Sequence, residues 1–219
     1  MPVYNSCPYI RAIACVSTAT VEKGCLIWYP FSVQPLALLA IFIIQKEADT
    51  MDLEWIKVIE SPQMEALAAT AKEIWQEYFP GIISMEQVHY MVEKFQSFHA
   101  IERQISHDGY QYFMLHLSKE ILGYLGFQQQ ERKLFLSKLY LKKKFRGKGY
   151  FTLMLSFIEN FARKNNVNHL YLTVNKQNTH SIAVYQHKGF SISKEQTANI
   201  GNGFAMDDYV MEKRLQYNP

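Results

Sequence analysis

Two glycines one residue apart, in Lys144-Phe145-Arg146-Gly147-Lys148-Gly149-Tyr150, stand between an apolar run over 134–141 and an amphipathic run over 151–164. Such glycines let backbone N–H groups approach a phosphate, and a helix starting at the loop points the positive end of its dipole at the same place. Anion binding is the chemistry this segment offers. Gly-x-Gly also occurs in ordinary turns, so the flanking elements have to decide.

The run before the loop, 133–141, is short, apolar and aromatic, as a largely buried strand is. Beyond the loop, Leu153, Met154, Phe157, Ile158, Phe161 and Ala162 fall on one helical face, opposite Thr152, Ser156, Glu159, Asn160, Arg163 and Lys164. Asn165-Asn166 ends that helix, and 169–174 reads as a strand parallel to the first. Ligands sit at the carboxyl ends of strands joined in this way. Two nucleotide sites are excluded. A magnesium-holding phosphate loop needs Gly-x-x-x-x-Gly-Lys-Ser/Thr, and here Gly149 follows Lys148. A dinucleotide loop needs a third glycine and an acidic residue after the next strand, where Asn175 and Lys176 stand.

The loop resembles the pyrophosphate-binding motif of the GNAT superfamily of N-acetyltransferases, Gln/Arg-x-x-Gly-x-Gly/Ala, read here as Lys144-Phe145-Arg146-Gly147-Lys148-Gly149. Lys144 departs from the pattern, keeping charge but losing a planar, forked donor set. Downstream, Asn175, Asn178, Ala183, Tyr185 and Gly189-Phe190 resemble the family's other hallmark: strand, Asn, a helix with Ala and Tyr, then Gly-Phe. Two motifs in the right order carry the resemblance.

The resemblance implies acetyl transfer from acetyl-CoA to an amine, and no metal-ligand spacing appears in the sequence, so no metal is expected. It places the loop residues Lys144, Arg146, Gly147, Lys148, Gly149 and Tyr150 on the CoA pyrophosphate. The strand end at Leu139, Tyr140 and Leu141 then offers backbone groups to the pantetheine and the thioester carbonyl. Tyr185 matches a phenol that donates a proton to the departing thiolate; the plain alternative is a core tyrosine packed with Ile182 and Phe190. Asn178 matches a contact to the CoA arm and is equally a good N-cap. Lys142, Lys143 and Lys144 add positive charge where the phosphates would lie, or form a solvated basic loop.

The remaining elements suit the same fold. A strand over 53–59 precedes a helix entered through Ser61-Pro62 and stopped by Pro80-Gly81; Met64, Leu67, Ala68, Ala71, Ile74, Trp75 and Tyr78 mark its inner face. A second helix is predicted over 85–96, then strands over 109–117, 121–127 and 133–141. The expectation is an α/β (α+β) GNAT fold: a mixed central sheet of about six to seven strands flanked by about four helices.

The acceptor is less legible. The tail around Asp207-Asp208 resembles bacterial members acting on small, polyamine-like amines, and those carboxylates would offset an acceptor's charge; a solvated turn is the plain alternative. Glu86, Glu93 and Glu131 are conceivable general bases that nothing selects between. Tyr78, Phe79, Tyr90 and Phe95 would line an acceptor groove or pack in the core. A protein amino terminus as acceptor, or a non-catalytic acetyl-CoA-binding module, are the alternative functions.

All 3 cysteines (Cys7, Cys15, Cys25) fall in the first fifty residues, leaving 51–219 without a disulfide framework or thiolate metal site. The uncharged run over 25–44 is about long enough to cross a bilayer, yet holds Pro30 and Pro35. Residues 1–50 are read as an extension, poorly ordered or a start-site artefact upstream of Met51, with a membrane anchor the less favoured reading. A net charge of +3 is too mild for nucleic-acid binding as the main function. The expected partner is a small-molecule amine, the expected compartment the cytoplasm, and a homodimer is left open.

Overall fold

The computed structural model describes residues 53–216, and the expectations for 1–50 lie outside the described residues. The chain opens with β1 (Leu53–Lys57) and α1 (Ser61–Tyr78). Pro62 stands in the first turn of α1, as its locked φ and missing N–H favour. The N-cap is Glu60 rather than Ser61: Gln63 Oε1 reaches back to accept from the Glu60 N–H at 3.0 Å. A single 3-10 turn, Phe79–Gly81, stops the helix at Pro80.

Two helices follow instead of the one expected: α2 (Met85–Gln96) and α3 (Phe98–Ser106). Ser97 is the C-cap of α2 and also the N-cap of α3, its Oγ accepting from the Ala100 N–H at 3.4 Å. The next elements are β2 (Tyr110–Leu117), β3 (Glu120–Gln130), β4 (Lys133–Leu141), α4 (Tyr150–Lys164), β5 (His169–Asn175), α5 (Thr179–His187), β6 (Ser191–Gly201) and β7 (Phe204–Arg214).

The strands form one mixed sheet in the order β1-β2-β3-β4-β5-β7-β6, in which only β4 and β5 run parallel. The seven strands and five helices among the described residues match the expected fold class. Side chains alternate across each strand, so the sheet carries a core on either face. One, around Leu125, Phe127, Leu134, Met154, Ile158 and Leu170, lies under α4. The other, around Leu67, Ala71, Ile74, Ile101, Tyr112 and Tyr124, lies under α1 and α3. Each fully buried Leu or Ile there contributes roughly 1.5–3 kcal/mol. With its faces covered, the sheet can open only where two neighbouring strands part.

Candidate active site

That parting lies between β4 and β5. The two strands pair only at their starts, Lys133 to Phe135 against His169 to Tyr171. Beyond Phe135, β4 keeps its bonds to β3, and β5 keeps its bonds to β7 out to Asn175. Leu136 to Leu141 and Leu172 to Asn175 therefore flank a gap, and they line a cavity of about 600 Å³. Ser137 is unpaired in the register, where Gly126 opposes Lys138 and Phe127 opposes Leu136. This bulge bends β4 at the split. The sequence expectation for Leu139, Tyr140 and Leu141 falls on this edge, with Leu139 and Leu141 side chains buried.

The glycine loop closes one end of the gap. Gly149 is the N-cap of α4 with φ +88°, a left-handed conformation suited to glycine, and no side chain caps the helix. The positive end of the α4 dipole thus lies at the glycine loop. Gly147 has φ +74°, and a Cβ at either glycine would meet nothing within 4 Å, so space over the loop is clear. Gly147 and Gly149 both line the cavity.

The basic run around the loop has carboxylate partners of its own. Lys142 pairs with Glu73 at 2.7 Å, Lys143 with Glu77 at 3.7 Å, and Lys144 with Glu120. Arg146 donates to Glu77 Oε2 at 2.6 Å and to the Leu141 carbonyl at 2.9 Å, and its guanidinium lies 4.8 Å from the Tyr78 ring centroid. These contacts bind the loop to α1 and β3. Among the described residues no carboxylate pairs with Lys148, which lies over the Phe145 ring.

Tyr78, Tyr140, Tyr185, Asn178 and Asp208 also line the cleft. Asn178 caps α5, its Oδ1 accepting from the Ser181 N–H at 3.3 Å and from Tyr78 Oη at 2.9 Å. Tyr185 packs edge-on against Phe151 and Phe190, with ring centroids 5.6 and 5.5 Å away, and its hydroxyl has no hydrogen-bond partner among the described residues. Burial, and then the neighbouring Tyr78, hold its phenol well above the ordinary range, so it stays protonated. Tyr140, against Trp75 and Phe79, is raised in the same way by burial first and by Tyr185 and Asp208 next.

The two adjacent aspartates part company, since successive strand residues face opposite ways. Asp207 pairs with Lys176 at 2.7 Å and accepts from Thr197 Oγ1 at 3.2 Å. Asp208 is only 7 % exposed, lines the cleft, and its Oδ1 has no hydrogen-bond partner. Burial, then the Asp207 charge, pushes its carboxyl up to about 6. Glu86, Glu93 and Glu131 do not line this cleft.

The opposite wall comes from α1, α2 and α3. Tyr78, Phe79 and Phe95 line it, whereas Tyr90 donates to the Ile200 carbonyl at 2.6 Å and fastens α2 to the β6–β7 hairpin. Sequence reasoning missed three lining residues: Trp75 as a donor with an unpartnered Nε1, Gln104 on the unforeseen α3, and Lys138. A lone lysine inside the apolar β4 pattern was the available signal. Among the described residues no group of His, Cys, Asp and Glu is placed to hold a metal, and no helix is long and apolar enough to cross a membrane.

Residues 68–190 match the sequence profile of the acetyltransferase (GNAT) family. No curated protein matches the sequence in a direct comparison. Among solved structures, the chain is similar to the PaiA N-acetyltransferase from Thermoplasma acidophilum in complex with coenzyme A: TM-score 0.61, 22% identity, 74% of this chain and 98% of that one. It is similar to the ribosomal-protein-S18-alanine N-acetyltransferase from Escherichia coli at TM-score 0.57 and 15% identity, covering 76% and 97% of the two chains. A GCN5-related N-acetyltransferase from Rhodopseudomonas palustris gives TM-score 0.63 at 14% identity, over 74% and 95%. At these identities the solved structures speak for the fold.

Proposed function

Because the chain belongs to the acetyltransferase (GNAT) family and is an acetyl-CoA-dependent N-acetyltransferase, we propose that it acetylates the primary amine of a small molecule, by direct attack in a ternary complex in the cytoplasm. The observation that carries this reading is the parted edge of β4, with the glycine loop, Asp208 and Tyr185 lining the same cavity.

Acetyl-CoA supplies an activated acetyl thioester. On the protein side, the backbone at Gly147, Lys148, Gly149 and Tyr150 cradles the pyrophosphate, Lys148 adds the unpaired cation, and Lys144 and Arg146 hold the loop against β3 and α1. Asn178 holds the start of α5 beside the CoA arm. Backbone groups at Leu139, Tyr140 and Leu141 align the thioester and stabilise charge on its carbonyl oxygen. The carboxylate of Asp208 receives the acceptor's ammonium and takes its proton. As the amine forms the new C–N bond and the C–S bond breaks, the Tyr185 phenol protonates the leaving thiolate.

A polyamine fits less well than a monoamine. Asp208 is the acidic side chain among the described lining residues, which include Lys138, Arg146 and Lys188, so a second ammonium meets no carboxylate there. The test is thiol release from acetyl-CoA across polyamines, amino acids, aminoglycosides and short peptides. The reading expects turnover with a small amine. Turnover with peptides alone would move the substrate to protein amino termini, and tight CoA binding without turnover would make the chain a binding module.

A further inference from the structure

The inner arm of the cleft holds a cation that the transfer chemistry does not use. Lys138 stands on β4 beside the Ser137 bulge, is 5 % exposed, and lines the cavity with Gln96, Gln104 and Tyr110. Its Nζ lies 3.4 Å from Gln104 Oε1 and 3.3 Å from Ser137 Oγ, both long for an ammonium. The ring centroids of Tyr110 and Tyr112 lie 4.9 and 5.2 Å away. Among the described residues no Asp or Glu pairs with it.

A buried ammonium with such partners costs several kcal/mol, and an apolar side chain would fill the same volume more cheaply. Gln104 is itself committed: its Oε1 also accepts from Tyr112 Oη, and its Nε2 donates to the Phe95 carbonyl at 3.3 Å. Burial lowers the lysine to about 7. The titratable groups facing it, Tyr110 and Tyr112, are raised above their ordinary range and stay neutral. The side chain is thus poised to take up a proton when an anion arrives.

We propose that the inner arm is a subsite for a small oxyanion, and that the acceptor is an amine carrying a carboxylate or phosphate, with the oxyanion on Lys138 and the amine at Asp208. The proposal rests on the acetyl-transfer reading and narrows its acceptor from amines in general to amino acids in the broad chemical sense.

The test is calorimetric titration of the CoA-loaded protein with ω-aminocarboxylates and ω-aminophosphonates of graded length, beside alkylamines and diamines of equal length. A charge-assisted bond in a dry site predicts oxyanion-bearing amines binding about tenfold or more tighter than the alkylamines. That advantage collapses in Lys138→Met and in Lys138→Gln, and is partly restored in Lys138→Arg. In the wild type, which needs no variant, repeating the titration near pH 7 in buffers of different ionisation enthalpy reveals proton uptake with the oxyanion ligands. The two probe classes separate a carboxylate from a phosphate. Alkylamines or diamines binding as tightly as the oxyanion series, or a preference that survives Lys138→Met, would overturn the proposal. Acetylation of alkylamines without any oxyanion preference sinks this inference alone; oxyanion binding without acetylation of any amine sinks the transfer reading alone.

Discussion

Tyr78 and Asn178, a hundred residues apart in the chain, share a 2.9 Å hydrogen bond in which the tyrosine hydroxyl donates to the amide oxygen. The bond joins the end of α1 to the cap of α5. The same Tyr78 ring carries the Arg146 guanidinium, which holds the glycine loop through Leu141. One tyrosine thus ties α1 to both α5 and the glycine loop.

Tyr78→Phe keeps the ring and removes the donor. Asn178 retains the Ser181 N–H, so α5 stays capped, and the loss in stability should be about 1 kcal/mol by thermal unfolding. Affinity for CoA should weaken severalfold in a direct titration, because the cap is no longer held to α1.

Asp208→Asn tests the carboxylate in the cleft in two opposite senses. Its carboxyl is raised from 3.8 to about 6, so folding favours the protonated form; that contribution is full below 3.8 and is lost as pH rises through about 6. The variant, always neutral, should therefore gain on the wild type above pH 6, by on the order of 2 kcal/mol. Activity moves the other way. Wild-type kcat/KM should carry an acid limb near pH 6, and the variant should lose that limb and fall by roughly a hundredfold.

Tyr185→Phe should lower kcat by about tenfold to a hundredfold while CoA affinity changes little, since ring packing against Phe151 and Phe190 is kept. Because the phenol is held protonated, wild-type rates should show no alkaline limb from this group in the working range. Stopped-flow measurement of thiol release reads the step directly.

Gly201→Ala should act on the acceptor side. Gly201 has φ +93°, and a Cβ there would lie 2.5 Å from Tyr90 Oη and 3.1 Å from Lys94 Nζ, the two groups that donate to the Ile200 carbonyl. Strain of roughly 1–3 kcal/mol would loosen the hairpin from α2. Acceptor KM should rise severalfold with KM for acetyl-CoA unchanged in steady-state assays.

Local patterns were legible where one element decides its own fate. The bounds of α2 and β4 follow from apolar periodicity, and the spacing of Gly147 and Gly149 announces the loop, where both take positive φ. Helix α3 was missed because Ser97, Phe98, Ile101 and Ile105 begin a new amphipathic face with no breaker after Gln96; one serine serves as both caps. The carboxylates that neutralise Lys142, Lys143 and Arg146 sit on α1, about seventy residues upstream, and no local pattern points to them. Asp207 and Asp208 differ only in strand parity, which gains meaning once β7 is known to lie beside β5.

Direct transfer to an amine is tested most directly by two-substrate initial rates, with the N-acetylated amine and free CoA thiol quantified together. The structure predicts intersecting double-reciprocal lines and one thiol released per amine acetylated. Parallel lines, acetyl recovered on the protein, or thiol release without an acetylated amine would contradict it.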